Sequence, residues 1–202
     1  MKTKILITQI RWTTTTSIPW SAAWMQSLID KTHAFLLENS YGKMDVEWTV
    51  SPFITIAPTY FPNGYQCGPQ LAALGIYPQD FSRAVYMSPG LAGYGKGYAS
   101  GNMVWMLGGI DYANFALPHE LGHTWGCGHA EFMQMGETEY VGLTKTLRFP
   151  PLAYTTGGKI DGTGDPCSVM GYSGTLTHFA MDEKQRMGWI TPVVWDGVDR
   201  TY

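Results

Sequence analysis

The chain has few charged residues and no block of like charge. Asp, Glu, Lys and Arg together make up 14% of its 202 residues, and the formal net charge is −3. Proteins that bind a nucleic-acid backbone need clustered Lys and Arg side chains to neutralise the phosphates, and this chain has no such cluster. We therefore expect no nucleic-acid partner.

Long apolar runs are also absent. No stretch approaches the roughly 20 apolar residues that a membrane-spanning helix requires. The first residues, MKTKILITQIRW, alternate in polarity instead of forming the apolar block of a signal peptide. We expect no membrane span. The hydrophobic content, 45%, is that of an ordinary folded protein, and one compact domain is the first expectation.

Apolar spacing predicts strands joined by irregular segments. Residues 90–101 are rich in glycine and are predicted to be a loop, and residues 130–167 show no sustained period and are predicted to be an irregular connection. Strands are predicted where β-branched and apolar residues alternate or form short runs, at residues 4–12, 46–56 with a break at Pro52, 83–87 and 102–107.

Helical spacing predicts three helices. A long amphipathic helix is expected at residues 21–38, and a second helix at residues 114–125 has Pro118 near its first turn, where a missing N–H costs least. The last helix is expected to have Thr177 as its N-cap and to stop at Gly188.

Three histidines lie on or just after the second helix. His119 and His123 are four residues apart, so they project from one helix face and can bind a single zinc ion. Gly126 can adopt φ > 0 and turn the chain back, which would bring His129 to the same ion. Three His ligands leave a fourth position open for water, and Glu120 is placed to act as general base on that water.

A bare His-Glu-x-x-His pattern arises by chance often enough to be weak evidence. Gly126 and His129 at their required positions make a zinc site the favoured interpretation. The remaining histidines, His33 and His178, have no such partners, and His33 is interpreted as a surface or packing residue.

The full pattern, His-Glu-x-x-His-x-x-Gly-x-x-His, resembles the metzincin zinc endopeptidases. Their second signature, a methionine turn of the form Ser-x-Met-x-Tyr, is matched by Ser168-Val169-Met170-Gly171-Tyr172. The resemblance implies that Met170 forms an apolar floor beneath the metal without binding it. It also implies that the Tyr172 hydroxyl stabilises the tetrahedral oxyanion; the alternative is a buried tyrosine with a satisfied hydroxyl.

The residues around these motifs resemble one branch of the family, the gametolysin (autolysin) group. Ala130 follows the third histidine, and Ala180, Lys184, Gly188 and Trp189 follow the turn at that group's spacing. Such relatives degrade extracellular-matrix or cell-wall glycoproteins. Secretion of this chain is an expectation from the resemblance alone.

The resemblance also implies a fold, an α+β zincin catalytic domain. A twisted mixed sheet, a long helix and the active-site helix would form an upper subdomain at residues 1–129, and an irregular lower subdomain at residues 130–202 would end in the C-terminal helix. A peptide substrate would bind extended in the cleft between them, along an edge strand at residues 83–87 or 102–107. The zinc would polarise its carbonyl while Glu120 activates the zinc-bound water.

Cysteine is scarce. At most one disulfide can form among Cys67, Cys127 and Cys167. Cys127 and Cys167 lie near the metal motif and the methionine turn, where they form either a disulfide or two buried thiols. No cysteine before the motif has an obvious role as an inhibitory zinc cap, so we expect a mature protease or one without that latency device.

Two other functions are compatible with three zinc-binding histidines. A catalytically silent zinc-bearing module of an extracellular or viral assembly would have no need of the base Glu120. A zinc hydrolase of small molecules or amides would have no particular need of the methionine turn. The endopeptidase is therefore the favoured hypothesis.

Overall fold

The structure is a computed structural model. It describes residues 2–14, 20–89, 97–107, 110–130, 132–134, 159–161, 168–171 and 176–191. Its helices are α1 (Ala22–Asn39), α2 (Gly64–Ala73), α3 (Ile110–Thr124) and α4 (Met181–Arg186), with a 3-10 turn at Pro78–Asp80. Its strands are β1 (Thr3–Trp12), β2 (Val46–Val50), β3 (Ile54–Ile56), β4 (Arg83–Ser88), β5 (Gly97–Ser100), β6 (Met103–Leu107), β7 (Phe132–Gln134) and β8 (Lys159–Asp161).

A six-stranded mixed sheet organises the chain. Its order is β2-β1-β4-β6-β5, and β3 pairs with the far end of β1. Every pairing in this sheet is parallel except that of β5 with β6, and β7 and β8 form a separate antiparallel pair. The expected mixed sheet is confirmed. The division into subdomains at residues 129 and 130 stays a prediction.

Both faces of the sheet are covered by helices, as the alternation of strand side chains requires. Ile5 and Ile7 of β1 belong to one core cluster, which they share with buried residues of α1 and α3. Leu6 and Ile10, on the opposite face, belong to a second cluster with Leu71 of α2. None of the described helices is long and apolar enough to cross a lipid bilayer.

Most predicted elements of the first half are confirmed. β1, α1, β4 and β6 have ends within one residue of those predicted, and the break at Pro52 separates β2 from β3. The Ser21 side chain accepts a hydrogen bond from the Trp24 N–H at 3.1 Å and caps α1.

The glycine-rich segment at residues 90–101 was predicted to be a loop, and this is wrong for its last part. β5 pairs antiparallel with β6 from Gly97↔Met106 to Ser100↔Met103. Main-chain pairing across the tight turn at Gly101, with φ +59°, outweighs the poor strand propensity of the segment. Among the strands that the structure describes, β5 is an edge of the sheet, whereas β4 and β6 each have neighbours on both sides. Neither of the two strands expected at the edge therefore lies there.

Helix α2 was not predicted. Gly64, Gly68 and Pro69 weaken any helical pattern there, although a capping box marks its start. The Asn63 side chain accepts from the Gln66 N–H at 3.3 Å, and the Gln66 side chain accepts from the Asn63 N–H at 2.9 Å. Its buried residues, Cys67 and Leu71, lie one turn apart against the sheet.

Two helix starts differ from the prediction. α3 begins at Ile110, so Pro118 lies inside the helix and not in its first turn; burial of Leu117 in the core offsets the lost hydrogen bond. α4 begins after Ala180, not Thr177, because the Glu183 carboxylate accepts the Ala180 N–H at 2.5 Å. The predicted stop at Gly188, with φ +71°, is confirmed.

The end of α1 holds the C-terminal segment against the sheet domain. Asn39 is 1% exposed; its side chain donates to the Phe35 carbonyl and accepts from the Phe179 N–H, both at 2.9 Å. Lys43 donates to the Trp189 carbonyl at 2.5 Å. These contacts fix where residues 176–191 lie relative to α1.

Replacing Asn39 by Ala should lower the free energy of unfolding by about 1–3 kcal/mol, because the buried N–H of Phe179 loses its acceptor. Urea unfolding measures this change. The control Gln26→Ala removes an exposed hydrogen bond to Asp30, and it should change the free energy of unfolding by less than about 0.5 kcal/mol. Equal effects of the two substitutions would contradict the anchoring role of Asn39.

Candidate metal centre

Helix α3 places two imidazoles one turn apart and facing each other. The Nε2 atoms of His119 and His123 are 3.2 Å apart. The Nδ1 atom of His119 lies 2.7 Å from the Val169 carbonyl oxygen, and that of His123 lies 2.8 Å from the Cys127 carbonyl oxygen. Each ring therefore turns Nδ1 toward the protein backbone and Nε2 toward the other ring.

These contacts determine where the protons lie. A carbonyl oxygen can only accept, so Nδ1 of each ring must carry the hydrogen. In a neutral imidazole the other nitrogen, Nε2, then presents a lone pair. Two lone pairs that face each other at 3.2 Å repel unless a cation lies between them. This arrangement is typical of metal-binding histidines whose orientation is set by backbone acceptors.

A reversal of the chain adds the third histidine. Gly126 has φ +88°, and its N–H donates to the His123 carbonyl at 3.0 Å, while the Cys127 N–H donates to the Gly122 carbonyl at 3.1 Å. This is the Schellman pattern that ends a helix, as predicted for Gly126. It brings the His129 ring to within 4.7 Å of the His123 ring and 5.4 Å of the His119 ring, measured between centroids.

The three histidines form a set that fits a zinc ion. Their ligand atoms all lie within 4.8 Å of one another, and no other His, Cys, Asp or Glu of the described residues joins the group. A tetrahedral zinc with bonds of about 2.0–2.1 Å separates its nitrogen ligands by roughly 3.3 Å. The separation between His119 and His123, 3.2 Å, agrees with that value.

Burial keeps two of these rings in the neutral form that binds metal. It lowers the pKa of His119 to about 4; the hydrogen bond to Val169 opposes this shift, and the nearby His123 and His129 add to it. Burial likewise lowers the pKa of His123. Metal ions compete with protons for imidazole nitrogens, so a site with depressed histidine pKa values is ready to bind at neutral pH.

Glu120 directly follows His119 on α3, and its side chain is buried. It is 7% exposed, and burial raises the pKa of its carboxyl group to about 7. Its neighbour is the edge strand β5: a Cβ atom added to Gly97 would lie 2.5 Å from the Glu120 Oε1 atom. The Glu120 carboxylate can therefore occupy this position only because residue 97 is a glycine.

The segment 168–171, which we call the methionine turn, packs beneath α3. Met170 is fully buried, and a Cβ atom on Gly122 would overlap its sulfur atom and lie 2.8 Å from the Phe179 ring. The glycine inside the histidine motif therefore lets the turn approach the helix. Met170 thus packs against α3 at Gly122, and its role as a floor beneath the metal stays a prediction. Tyr172, the predicted oxyanion donor, lies outside the described residues.

Backbone groups at the site escaped prediction. The carbonyls of Val169 and Cys127 orient two of the imidazoles, and Gly97 and Gly122 provide space, but none of these roles leaves a side-chain signature in the sequence. Cys127 is buried and is bonded to no other cysteine of the described residues, so the choice between a disulfide and two buried thiols stays open. Its proposed partner Cys167 lies outside the described residues.

The metal-free protein offers a test of Glu120 burial. The carboxyl group releases its proton near pH 4.5 when unfolded but near pH 7 when folded, so its ionisation destabilises the fold as the pH rises between these values. Glu120→Gln removes this penalty. The free energy of unfolding of the variant should exceed that of wild type by a growing amount as the pH rises from 4.5 to 7. Above that range the difference should level off at about 3 kcal/mol. Urea unfolding across that range measures the difference, and a difference independent of pH would contradict the buried position.

Comparisons with known proteins leave the family open. No protein-family model matches the chain, and no curated protein does. Among solved structures, archaemetzincin from Methanopyrus kandleri is similar at 16% identity with a TM-score of 0.45, over 93% of this chain and 94% of that one. A chaperone–substrate complex is similar at 14% identity with a TM-score of 0.42; the match covers 67% of this chain and 25% of that one.

Proposed function

We propose that this chain is a zinc-dependent endopeptidase of the metzincin type. The observation that carries the proposal is the pair His119 and His123, whose Nδ1 atoms are bound to backbone carbonyls while their Nε2 atoms face each other at 3.2 Å. The reversal at Gly126 adds His129, and the buried Glu120 directly follows His119 on α3. Three histidine ligands and a neighbouring glutamate, with no fourth His, Cys, Asp or Glu ligand among the described residues, correspond to a hydrolytic zinc site.

The protein's own residues would perform the proton transfers. His119, His123 and His129 would hold the zinc, which supplies Lewis-acid polarisation of the substrate carbonyl and acidifies a water molecule. The Glu120 carboxylate takes the proton from the attacking water and returns it to the leaving amine nitrogen. Its raised pKa, about 7, suits a group that must both accept and release a proton near neutral pH.

Strand β5 supports a peptide as the substrate. It is an edge strand within the part of the sheet that the structure describes, and its Gly97 lies against Glu120, so a chain paired with β5 would pass beside the general base. An extended peptide satisfies the unpaired main-chain groups of an edge strand by adding one more strand. We propose that the substrate binds in this way, in place of the two strands predicted from sequence.

Two finer assignments remain predictions. The role of Tyr172 as oxyanion donor rests on the Ser-x-Met-x-Tyr pattern alone. Membership of the gametolysin group, and with it secretion and glycoprotein substrates, rests on Ala130 and the spacing of residues after the turn; the similarity to archaemetzincin gives it no support.

The deciding experiment compares wild type with Glu120→Gln. Both should contain about one zinc per chain, and the variant should lose about 10²-fold or more in the turnover of a mixed peptide library, since the base is absent while the ligands remain. Atomic absorption and mass spectrometry of the products measure the two quantities. Zinc without hydrolysis in wild type would instead favour the silent module, and full activity in the variant would remove Glu120 from its role.

Gly97→Ala tests the placement of the base without touching a ligand. The added Cβ atom would lie 2.5 Å from Glu120 Oε1 and must displace the carboxylate. Because a shift of about 1 Å at a reacting group can cost about 10²-fold, kcat should fall by that order while zinc content stays that of wild type. Ser100→Ala, on an exposed position of the same strand, is the matched control and should keep its kcat. Equal kcat values for both variants would contradict this placement.

A further inference from the structure

The methionine turn is bound to two parts of the histidine motif through its backbone. The Val169 carbonyl accepts the hydrogen bond from Nδ1 of His119 at 2.7 Å, and the Met170 carbonyl accepts from the Ala130 N–H at 3.0 Å. Ala130 directly follows His129. The position of the turn therefore sets the orientation of the first histidine and the path of the loop that carries the third.

Ser168 fixes the turn from inside. Its hydroxyl lies 3.0 and 2.9 Å from the two carboxylate oxygens of Glu183, to which it donates, and it accepts the Met170 N–H at 3.0 Å. Ser168 is fully buried and Glu183 is 5% exposed. A hydrogen bond to a buried carboxylate is stronger than one between neutral groups, so Ser168 is held in one rotamer.

Glu183 is in turn fixed by the helix that carries it. Its Oε2 atom accepts the Ala180 N–H at the start of α4, at 2.5 Å. A continuous series of hydrogen bonds thus runs from α4 through Ser168 and the turn to the His119 ring.

We propose that Glu183 is a positioning residue of the metal centre, which acts through Ser168 and the methionine turn to orient His119 for zinc. The proposal rests on the proposed function, because it assumes that the three histidines bind zinc. It adds to that function a buried carboxylate on α4, 54 residues after His129 at the end of the histidine motif. Carboxylates and carbonyls that orient zinc-binding histidines typically change metal affinity by 10–100-fold when they are removed.

The second histidine provides an internal control. Nδ1 of His123 donates to the Cys127 carbonyl, which is positioned by the Schellman turn at the end of α3 and not by the methionine turn. Loss of Ser168 or Glu183 should therefore disturb His119 and leave His123 in place. A general loss of stability would not separate the two rings in this way.

Zinc affinity is the first measurement. Ser168→Ala removes the hydroxyl, and Glu183→Gln keeps the shape of the side chain but presents an N–H group where an acceptor is needed. Each should weaken zinc binding by about 10–100-fold in competition with a chelator. The double variant should bind zinc no more weakly than whichever single variant binds it less tightly. Ser168 and Glu183 act through the same series of hydrogen bonds, so their effects should not add. Asp182→Asn, an exposed neighbour on α4 with the same change of charge, should bind zinc as wild type does.

NMR of the imidazole N–H protons is the second measurement. In metal-free and zinc-loaded protein labelled with 15N-histidine, the Nδ1–H resonance of His119 should shift or broaden in both single variants. The corresponding resonance of His123 should not move. Ser168→Ala decides the question if Glu183→Gln does not fold, since it introduces no buried charge or new donor.

The outcomes separate this inference from the proposed function. A wild-type protein that binds no zinc would refute the proposed function. Zinc binding by wild type, with affinity within twofold in folded Ser168→Ala and Glu183→Gln, would refute the positioning role alone. Equal NMR shifts at His119 and His123 would also refute it, because they would show a general effect on the fold.

Discussion

The candidate site depends on two hydrogen bonds from imidazole N–H groups to backbone carbonyls. They place the proton of His119 and of His123 on Nδ1 and direct the lone pairs of Nε2 toward a common point. The two acceptors belong to separate parts of the chain, the methionine turn for His119 and the helix end at Cys127 for His123. The three histidines therefore converge only when α3, its terminal reversal and the turn are all in place, and any element that positions the turn also affects the candidate metal centre.

The sheet and its helices bring these parts together. α1 and α3 share one core cluster with Met170, Phe179 and Trp189, so the turn and the C-terminal segment pack on the face of the sheet that carries α3. Two glycines permit the closest approaches: at Gly122 the turn meets the helix, and at Gly97 the edge strand meets Glu120. A side chain at either position would separate elements whose contact the site requires. Glycine is therefore needed at both positions because of its size, and not because it takes part in the chemistry.

Prediction from sequence succeeded where local patterns coincided with the tertiary environment. The alternation in β1 and the capped, amphipathic α1 carry their own signals. It failed where tertiary contacts overrode propensity: β5 becomes a strand because β6 offers it a hydrogen-bonding partner, and α3 continues past Pro118 because its apolar residues are buried. α2 contains Gly64, Gly68 and Pro69, which weaken a helix, and burial of its apolar side against the sheet stabilises it. α4 begins later than predicted because the Glu183 carboxylate accepts the Ala180 N–H. A search for Ser or Thr at the N-cap does not detect this interaction.

The sequence by itself identified the three histidines of the candidate metal centre. Helical spacing of His119 and His123 and a left-handed residue at Gly126 are short-range constraints, so they can be derived from residues within one turn of each other. The tertiary structure alone decided which imidazole nitrogen is protonated, how deeply Glu120 is buried and which strand forms the edge beside it. Those properties arise from groups far apart in the chain, such as Val169 against His119 and Gly97 against Glu120, and a local pattern contains no information about such contacts.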